Sequence, residues 1–262
     1  MSLITAILLG VLQGLTEFLP VSSSGHLALA QMLIPGFSQP GLFFDVVLHV
    51  GTMVSILVLE WGRIREAFRQ GYAVRLAGLL LLGTAATAAV AFPLRARAEA
   101  AFEKPLWVAG GFALTAILLL LSSKSKTQGE RLPTWEQAVA VGLAQGVAVF
   151  PGLSRSGTTI SVGLAVGVTR PWAADFSFLL SLPAVAGATL VEVMREKDAL
   201  MASGSQWLAP ALAGGLAAAV TGLFALTAVR KLVRSGRLAV FAWYLLPLCL
   251  LVVAGYFLGW WA

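Results

Sequence analysis

Six long apolar runs, at roughly 42–60, 76–94, 105–121, 177–193, 207–229 and 238–261, dominate this chain. Each is long enough to cross the hydrocarbon core of a bilayer as a helix, which takes about 20 residues. With 58% hydrophobic and 11% charged residues, the 262-residue chain has too little charge to cover a soluble globule. It reads as a single integral membrane domain, all-α and polytopic, with six transmembrane helices. Residues 1–10 carry no basic segment and no small-residue cleavage site, so the apolar start reads as part of the mature fold rather than a removable signal. The one cysteine, Cys249, lies in an apolar run, which excludes an intrachain disulfide and suits a small packing residue.

Two further regions, about 3–34 and 135–170, are apolar but broken by proline, glycine and clustered polar residues. Unpaired backbone groups in hydrocarbon cost several kcal/mol each, so such segments persist only when buried in protein or lining a wet cavity. Both regions are therefore expected to be re-entrant or broken helical hairpins. Basic residues orient the loops. Arg63, Arg65, Arg69 and Arg75, then Lys124, Lys126 and Arg131, then Arg230, Lys231, Arg234 and Arg237 mark the cytoplasmic side. This bias and contact with anionic headgroups account for the net charge of +6, with no nucleic-acid partner implied.

A shift of 132 positions aligns "QGLTEFLPVSSSG", from Gln13, with "QGVAVFPGLSRSG", from Gln145, without a gap. The same shift places Phe44 on Phe176, Glu60 on Glu192 and Arg63 on Arg195. This is the pattern of an internal duplication, with repeats of about 1–131 and 132–262. Each copy holds one broken hairpin and three spans, an odd number, so the copies are expected to be inverted. Paired broken helices in inverted repeats bring their interruptions together near the bilayer midplane. The two polar motifs are thus expected to form one site.

The chemistry of that site starts with Gln13 and Glu17, spaced to share one helix face. A carboxylate at membrane depth is by default functional, with a proton, metal or other cation as partner. Ser22, Ser23, Ser24 and His26 follow. Serines also cap helices and turns, but a histidine near a carboxylate and hydroxyls is the grouping that acid–base and nucleophilic chemistry needs. The second motif, "PGLSRSGTT" from Pro151 to Thr159, offers Arg155, whose planar fork suits phosphate oxygens. Ser154, Ser156 and Thr159 add hydroxyl donors, and a helix beginning near Ser156 would favour an anion through its dipole. A structural Glu17–Arg155 ion pair is the plainer reading of the same two residues. No GxxxxGK[ST] or GxGxxG loop is present, and two histidines with one cysteine do not make a zinc cage.

These motifs resemble the bacterial undecaprenyl-diphosphatase family, also called bacitracin-resistance proteins, over essentially the whole chain. The family's (E/Q)xxxE pattern falls on Gln13 and Glu17, its serine–histidine element on Ser22, Ser23 and His26, and its PGxSRSxxT motif on Pro151 through Thr159. The resemblance implies hydrolysis of undecaprenyl diphosphate to undecaprenyl phosphate and inorganic phosphate, recycling the lipid carrier of cell-wall synthesis. It also implies a divalent cation, Mg2+ or Ca2+, a homodimer in the plasma membrane, and a site open to the periplasmic or outer face. Gln13 cannot ionise, so the pattern supplies one carboxylate rather than two for a metal.

Combining both readings, Arg155 with Ser22, Ser154, Ser156 and Thr159 is expected to hold the diphosphate. Glu17, with Gln13, would bind the cation or act as base. Ser23 is the candidate nucleophile with His26 as its acid or base, and direct attack by an activated water fits equally well. Asp45 reads as a helix-start residue, with a place behind the site as its alternative, and Asp175 as a helix-start residue; His49, at i+4 from Asp45, reads as a packing residue, with lining of the same cavity as its alternative. Inverted repeats with broken helices are also transporter architecture, so carriage of a phosphate-bearing lipid or anion is the rival reading.

Overall fold

The structure, a computed structural model, describes residues 2–33, 42–125, 127, 129–195 and 208–260. Their regular elements are α1 (Leu3–Phe18), α2 (Ser23–Leu33), α3 (Leu42–Arg69), α4 (Ala73–Phe102), α5 (Pro105–Ser123), α6 (Trp135–Val147), α7 (Arg155–Ala165), α8 (Arg170–Arg195), α9 (Leu208–Arg234) and α10 (Ala239–Phe257). Six of them, α3, α4, α5, α8, α9 and α10, are long and apolar enough to cross a membrane; they contain four of the six runs anticipated above and most of the other two, 207–229 and 238–261. Lys126, residues 196–207, Trp261 and the side chains of Glu192 and Arg195 lie outside the described residues.

Each interrupted region is two short helices. At 16 residues α1, 11 α2, 13 α6 and 11 α7, none reaches the length of a full crossing. Local sequence explains where they begin and stop. Pro20 disfavours helical backbone at Leu19, which ends α1 in an extended conformation. Thr134 and Gln137 form a reciprocal capping box at the start of α6, and Ser154 accepts the Gly157 N–H at 3.1 Å to cap α7. The starts of α2 and α7 are 132 positions apart, the same offset that aligns the two sequence motifs.

Glycines set how closely these helices approach. A Cβ on Gly10 of α1 would strike the Gly214 carbonyl of α9, and one on Gly14 would strike the Ala218 carbonyl. At the equivalent positions, a Cβ on Gly142 of α6 would strike the Gly83 carbonyl of α4, and one on Gly146 would lie 2.7 Å from the Thr87 carbonyl. Residue numbers rise together in both pairs, so α1 runs parallel to α9 and α6 parallel to α4. Small residues let backbones meet this way where lipid provides no hydrophobic drive between helices. Phe44 and Phe176, also 132 apart, are both buried.

One charged cluster joins α3, α8 and α9. Asp175 is fully buried and accepts from Arg63 Nη2 at 2.7 Å, Arg63 Nε at 3.1 Å and Arg230 Nε at 3.0 Å. Arg230 Nη2 also reaches the buried Glu60 carboxylate at 2.7 Å, and the Arg63 guanidinium lies over the Trp172 ring, 4.8 Å from its centroid. The helix-start expectation for Asp175 is corrected here: α8 begins at Arg170, which puts Asp175 a full turn inside it as the anion between two arginines. Removing one member of a buried ion cluster leaves the others without compensation, at about 3–5 kcal/mol. Asp175→Asn is expected to lower Tm in detergent sharply, whereas Glu99→Gln, which breaks the partly exposed Arg95–Glu99 pair, costs below about 1 kcal/mol. Equal melting of the two variants would refute the structural role given to the cluster.

Candidate active site

The i, i+4 spacing of Gln13 and Glu17 turns both side chains from α1 into the protein, where both residues are buried. Gln13 Nε2 donates to Glu17 Oε2 at 3.0 Å. After α1 the backbone reverses through Ser22, the one residue other than glycine with positive φ (71°) among those described. A side chain is disfavoured in that left-handed region, and such strain concentrates at functional sites. Local bonds hold it: the Ser22 carbonyl accepts from the His26 N–H at 3.2 Å, and its hydroxyl accepts from the Gly25 N–H at 3.3 Å. The turn places Ser23 at the start of α2 with its hydroxyl donating to Glu17 Oε2 at 2.5 Å.

The second interruption meets the first. A Cβ on Gly25 would lie 3.0 Å from the Gly152 Cα, and one on Gly157 would lie 3.2 Å from the Pro20 Cβ. Gly152 itself has φ of 82° and is pressed against the Val108 carbonyl, so both its backbone angle and its surroundings require glycine. Arg155, the first residue of α7, extends to Glu17 Oε1 and forms an ion pair. Gln13, Glu17, Ser23 and Arg155 thus form one connected group, drawn from α1, α2 and α7.

The remaining hydroxyls of the second motif are spent inside the protein. Ser154 caps α7, and the Ser156 hydroxyl lies 3.2 Å from that of Ser154 and 3.4 Å from the Leu19 carbonyl. The Thr159 hydroxyl bonds back to the Arg155 carbonyl at 2.8 Å and meets Ser177 of α8 at 2.5 Å. All three residues are buried, so Arg155 carries the exposed part of the motif. His26 stands apart from Ser23. Its Nδ1 lies 2.8 Å from the Ser22 carbonyl, and its Nε2 2.8 Å from the Tyr244 hydroxyl of α10. Its ring stacks on Tyr244 at 5.8 Å and packs against Phe112 at 5.3 Å. The Ser22 hydroxyl also meets that of Ser24 at 3.3 Å.

Two further residues lie beside the site. His49 of α3, read above as packing with cavity lining as its alternative, brings Nε2 to 4.0 Å from Glu17 Oε2. Its sequence signal was the polar Asp45–His49 pair at i, i+4 on an otherwise apolar helix. Tyr244 had no signal, being one aromatic in an apolar run.

The chemical capacity of this group is specific. A carboxylate accepting a short hydrogen bond from a serine is a base beside a nucleophile, and a guanidinium at a helix N-terminus is an anion receptor. For a divalent cation the oxygen donors at hand are Glu17 and Gln13 Oε1, which is buried without a hydrogen-bond partner. Among the described residues no group of three or more His, Cys, Asp or Glu side chains could enclose a metal. The donor set therefore fits a cation that completes its coordination with substrate phosphate oxygens and water, the habit of Mg2+ at phosphoryl-transfer sites.

Comparison with known proteins agrees with the motifs. A sequence model of the family described as "Bacitracin resistance protein BacA" matches residues 6–251. The undecaprenyl-diphosphatase of Syntrophotalea carbinolica is 43% identical over 257 residues, covering 93% of this chain and 95% of that protein. Those of Desulfatibacillum aliphaticivorans and Halothermothrix orenii are 40% identical over 271 residues and 38% over 264, covering 95% and 98% of this chain and 95% and 100% of theirs. With a family match over nearly its full length and such relatives end to end, the chain belongs to the BacA family of bacitracin-resistance proteins.

Proposed function

We propose that this protein hydrolyses undecaprenyl diphosphate to undecaprenyl phosphate and inorganic phosphate, returning the lipid carrier to cell-wall synthesis and thereby conferring bacitracin resistance. The observation that carries the reading is the bridging of Glu17, which holds a serine hydroxyl on one oxygen and the Arg155 guanidinium on the other. The relatives bearing the undecaprenyl-diphosphatase name support the substrate.

In this mechanism the diphosphate draws Arg155 from Glu17, because a polyanion offers the fork two oxygens and more charge than one carboxylate. Arg155 then neutralises charge on the transferring phosphoryl group, while the N-terminus of α7 adds its dipole. Glu17, relieved of its counter-ion, takes the proton of the attacking oxygen. Attack on the terminal phosphorus forms one P–O bond and breaks the bridging P–O bond, and undecaprenyl phosphate leaves. The attacking oxygen is the Ser23 hydroxyl, giving a phosphoserine that water hydrolyses, or a water in its place. His26 and Tyr244 form the polar wall assigned to the leaving phosphate. Ser154, Ser156 and Thr159 act by fixing the start of α7, and Ser22 by fixing the turn. In the other role open to Glu17, as ligand instead of base, Glu17 and Gln13 Oε1 would hold Mg2+ or Ca2+, which would shield phosphate charge.

The same proposal sets the protein in the bacterial plasma membrane as a homodimer, with the site open to the outer face. The supports are the six apolar helices and the basic residues gathered at the α3–α4, α5–α6 and α9–α10 junctions. It also treats residues 1–131 and 132–262 as inverted repeats, supported by the shared 132-residue offset of motifs, helix starts and glycine contacts.

Purified protein is expected to release phosphate from undecaprenyl diphosphate, and to lose that activity in EDTA and recover it with magnesium. No release from folded protein would sink the reading. Arg155→Ala should reduce kcat by about 10²–10³-fold, and Arg155→Lys should recover only part because an ammonium lacks the fork. If the cation arrives with the diphosphate, calorimetry should find Mg2+ binding strengthened by a non-hydrolysable diphosphate and absent at micromolar Mg2+ alone. Tight Mg2+ binding to the resting protein would contradict that order.

A further inference from the structure

The two ring nitrogens of His26 are not equivalent, and their partners fix which one carries the proton. Nδ1 lies 2.8 Å from the Ser22 carbonyl, which only accepts hydrogen bonds, so Nδ1 is the donor. In the neutral imidazole Nε2 then has the lone pair, and the atom facing it at 2.8 Å is the Tyr244 hydroxyl. That hydroxyl must donate. The result is a directed chain from Tyr244 of α10, through the His26 ring, to the carbonyl of Ser22 in the left-handed turn that precedes Ser23.

The 132-residue offset separates what the Tyr244 ring does from what its hydroxyl does. It aligns Tyr244 with Phe112, and the two lie on α10 and α5, helices that pack against each other. His26 sits against both rings, 5.8 Å from that of Tyr244 and 5.3 Å from that of Phe112. Each half of the chain thus supplies an aromatic wall for the imidazole, and Phe112 does so fully buried and without a polar atom. Packing alone is met by a phenyl ring. The oxygen is what Tyr244 adds, and it occurs once, as does the imidazole: the position equivalent to His26 is Thr158.

We propose that Tyr244 is a positioning residue of the reaction that acts through His26: its hydroxyl, with the Ser22 carbonyl at the opposite nitrogen, holds the imidazole in one tautomer and one orientation. With both nitrogens engaged, His26 is kept from the Ser23 hydroxyl, which Glu17 already holds at 2.5 Å, and is presented to the leaving phosphate with Nε2 on the α10 side. An imidazole free to turn would have to be ordered in every turnover, a cost that the hydroxyl removes in advance. This inference rests on the diphosphatase reading and adds a residue to it.

The test is full-length Tyr244→Phe, which keeps the ring and removes only the oxygen. The kcat for phosphate release from undecaprenyl diphosphate is expected to fall about 10-fold, the worth of one hydrogen bond, with KM nearly unchanged. In a His26→Ala background the same substitution is expected to change kcat by less than about two-fold, because the hydroxyl has nothing left to position. An unchanged kcat in the wild-type background, or the full loss in the His26→Ala background, overturns the proposal. A second measurement needs no substrate and decides the matter even where His26→Ala is too slow to compare. The chain has two histidines, so one His26→Asn sample assigns the imidazole 15N signals. His26 is expected to carry its proton on Nδ1, and Tyr244→Phe to shift the Nε2 signal. A proton on Nε2, or an Nε2 signal that does not move, rejects the chain from Tyr244 to Ser22. Absence of phosphate release from wild-type protein, with the Nε2 shift observed, would instead count against the diphosphatase reading.

Discussion

The Glu17 carboxylate and the Arg155 guanidinium meet inside the protein, where an isolated charge carries a desolvation penalty of several kcal/mol. Neither residue is sustainable without the other or a replacement for it. That mutual dependence ties the end of α1 to the beginning of α7, although the two residues are 138 positions apart. It also prepares the site for an anion. The ion pair orients the guanidinium, so in the proposed reaction a diphosphate would exchange one set of charge-assisted hydrogen bonds for another without first ordering a free arginine. The carboxylate that such an exchange would release is already hydrogen-bonded to Ser23.

Such a meeting point requires broken backbone deep in the molecule, and the packing around it satisfies that requirement. Gly10 and Gly14 let α1 lie directly on α9, and Gly142 and Gly146 do the same for α6 on α4. The short helices α1 and α6 are thus each held by a long helix from the other half of the sequence. The turns themselves are closed by side chains: Ser22 and Ser154 each accept the N–H three residues ahead, and Thr115 accepts from the Ser154 N–H at 2.9 Å. The hydroxyls of the second motif are therefore better understood as satisfying buried backbone than as touching substrate. Their value to catalysis is the fixed position they give Arg155.

Much of this was legible in the sequence, for physical reasons that also mark where legibility ends. The six long helices follow from apolar length alone. The interruptions follow from proline and clustered polar groups, and their pairing from the 132-residue offset. Gln13, Glu17, Ser23 and Arg155 stood out because polar groups in an apolar setting need partners, and the structure brings those four together. Which partner each takes was not legible. Thr159 turned to Ser177 on the next helix and His26 to Tyr244 on the last one, both through contacts between helices that periodicity within one segment does not reveal. Asp175 was misjudged because the apolar run at 177–193 begins later than its helix, which extends back to Arg170. For His49 the sequence left packing and cavity lining open, because only the approach of α1 reveals its carboxylate neighbour.

The offset also explains why the protein has one such centre instead of two. At the position equivalent to Glu17 the second half has Val149, at that of Ser23 it has Arg155, and at those of His26 and His49 it has Thr158 and Ser181. The first half thus keeps the carboxylate, the nucleophile candidate and both imidazoles, while the second contributes the cation. A duplicate with Glu at both equivalent positions would place like charges near one another at depth, and one with Arg at both would do the same with opposite sign. Division of the charges between the halves avoids both penalties. It also makes the centre directional, since the acid–base groups lie on the side of α1, α2 and α3 and the anion receptor at the start of α7. The charged cluster of Glu60, Arg63, Asp175 and Arg230 is only half repeated at this offset: Glu60 and Arg63 align with Glu192 and Arg195, whereas Asp175 and Arg230 align with Phe43 and Ala98. The second half therefore does not repeat the Glu17–Arg155 centre, and the first half lacks the equivalents of Asp175 and Arg230 that complete the other cluster.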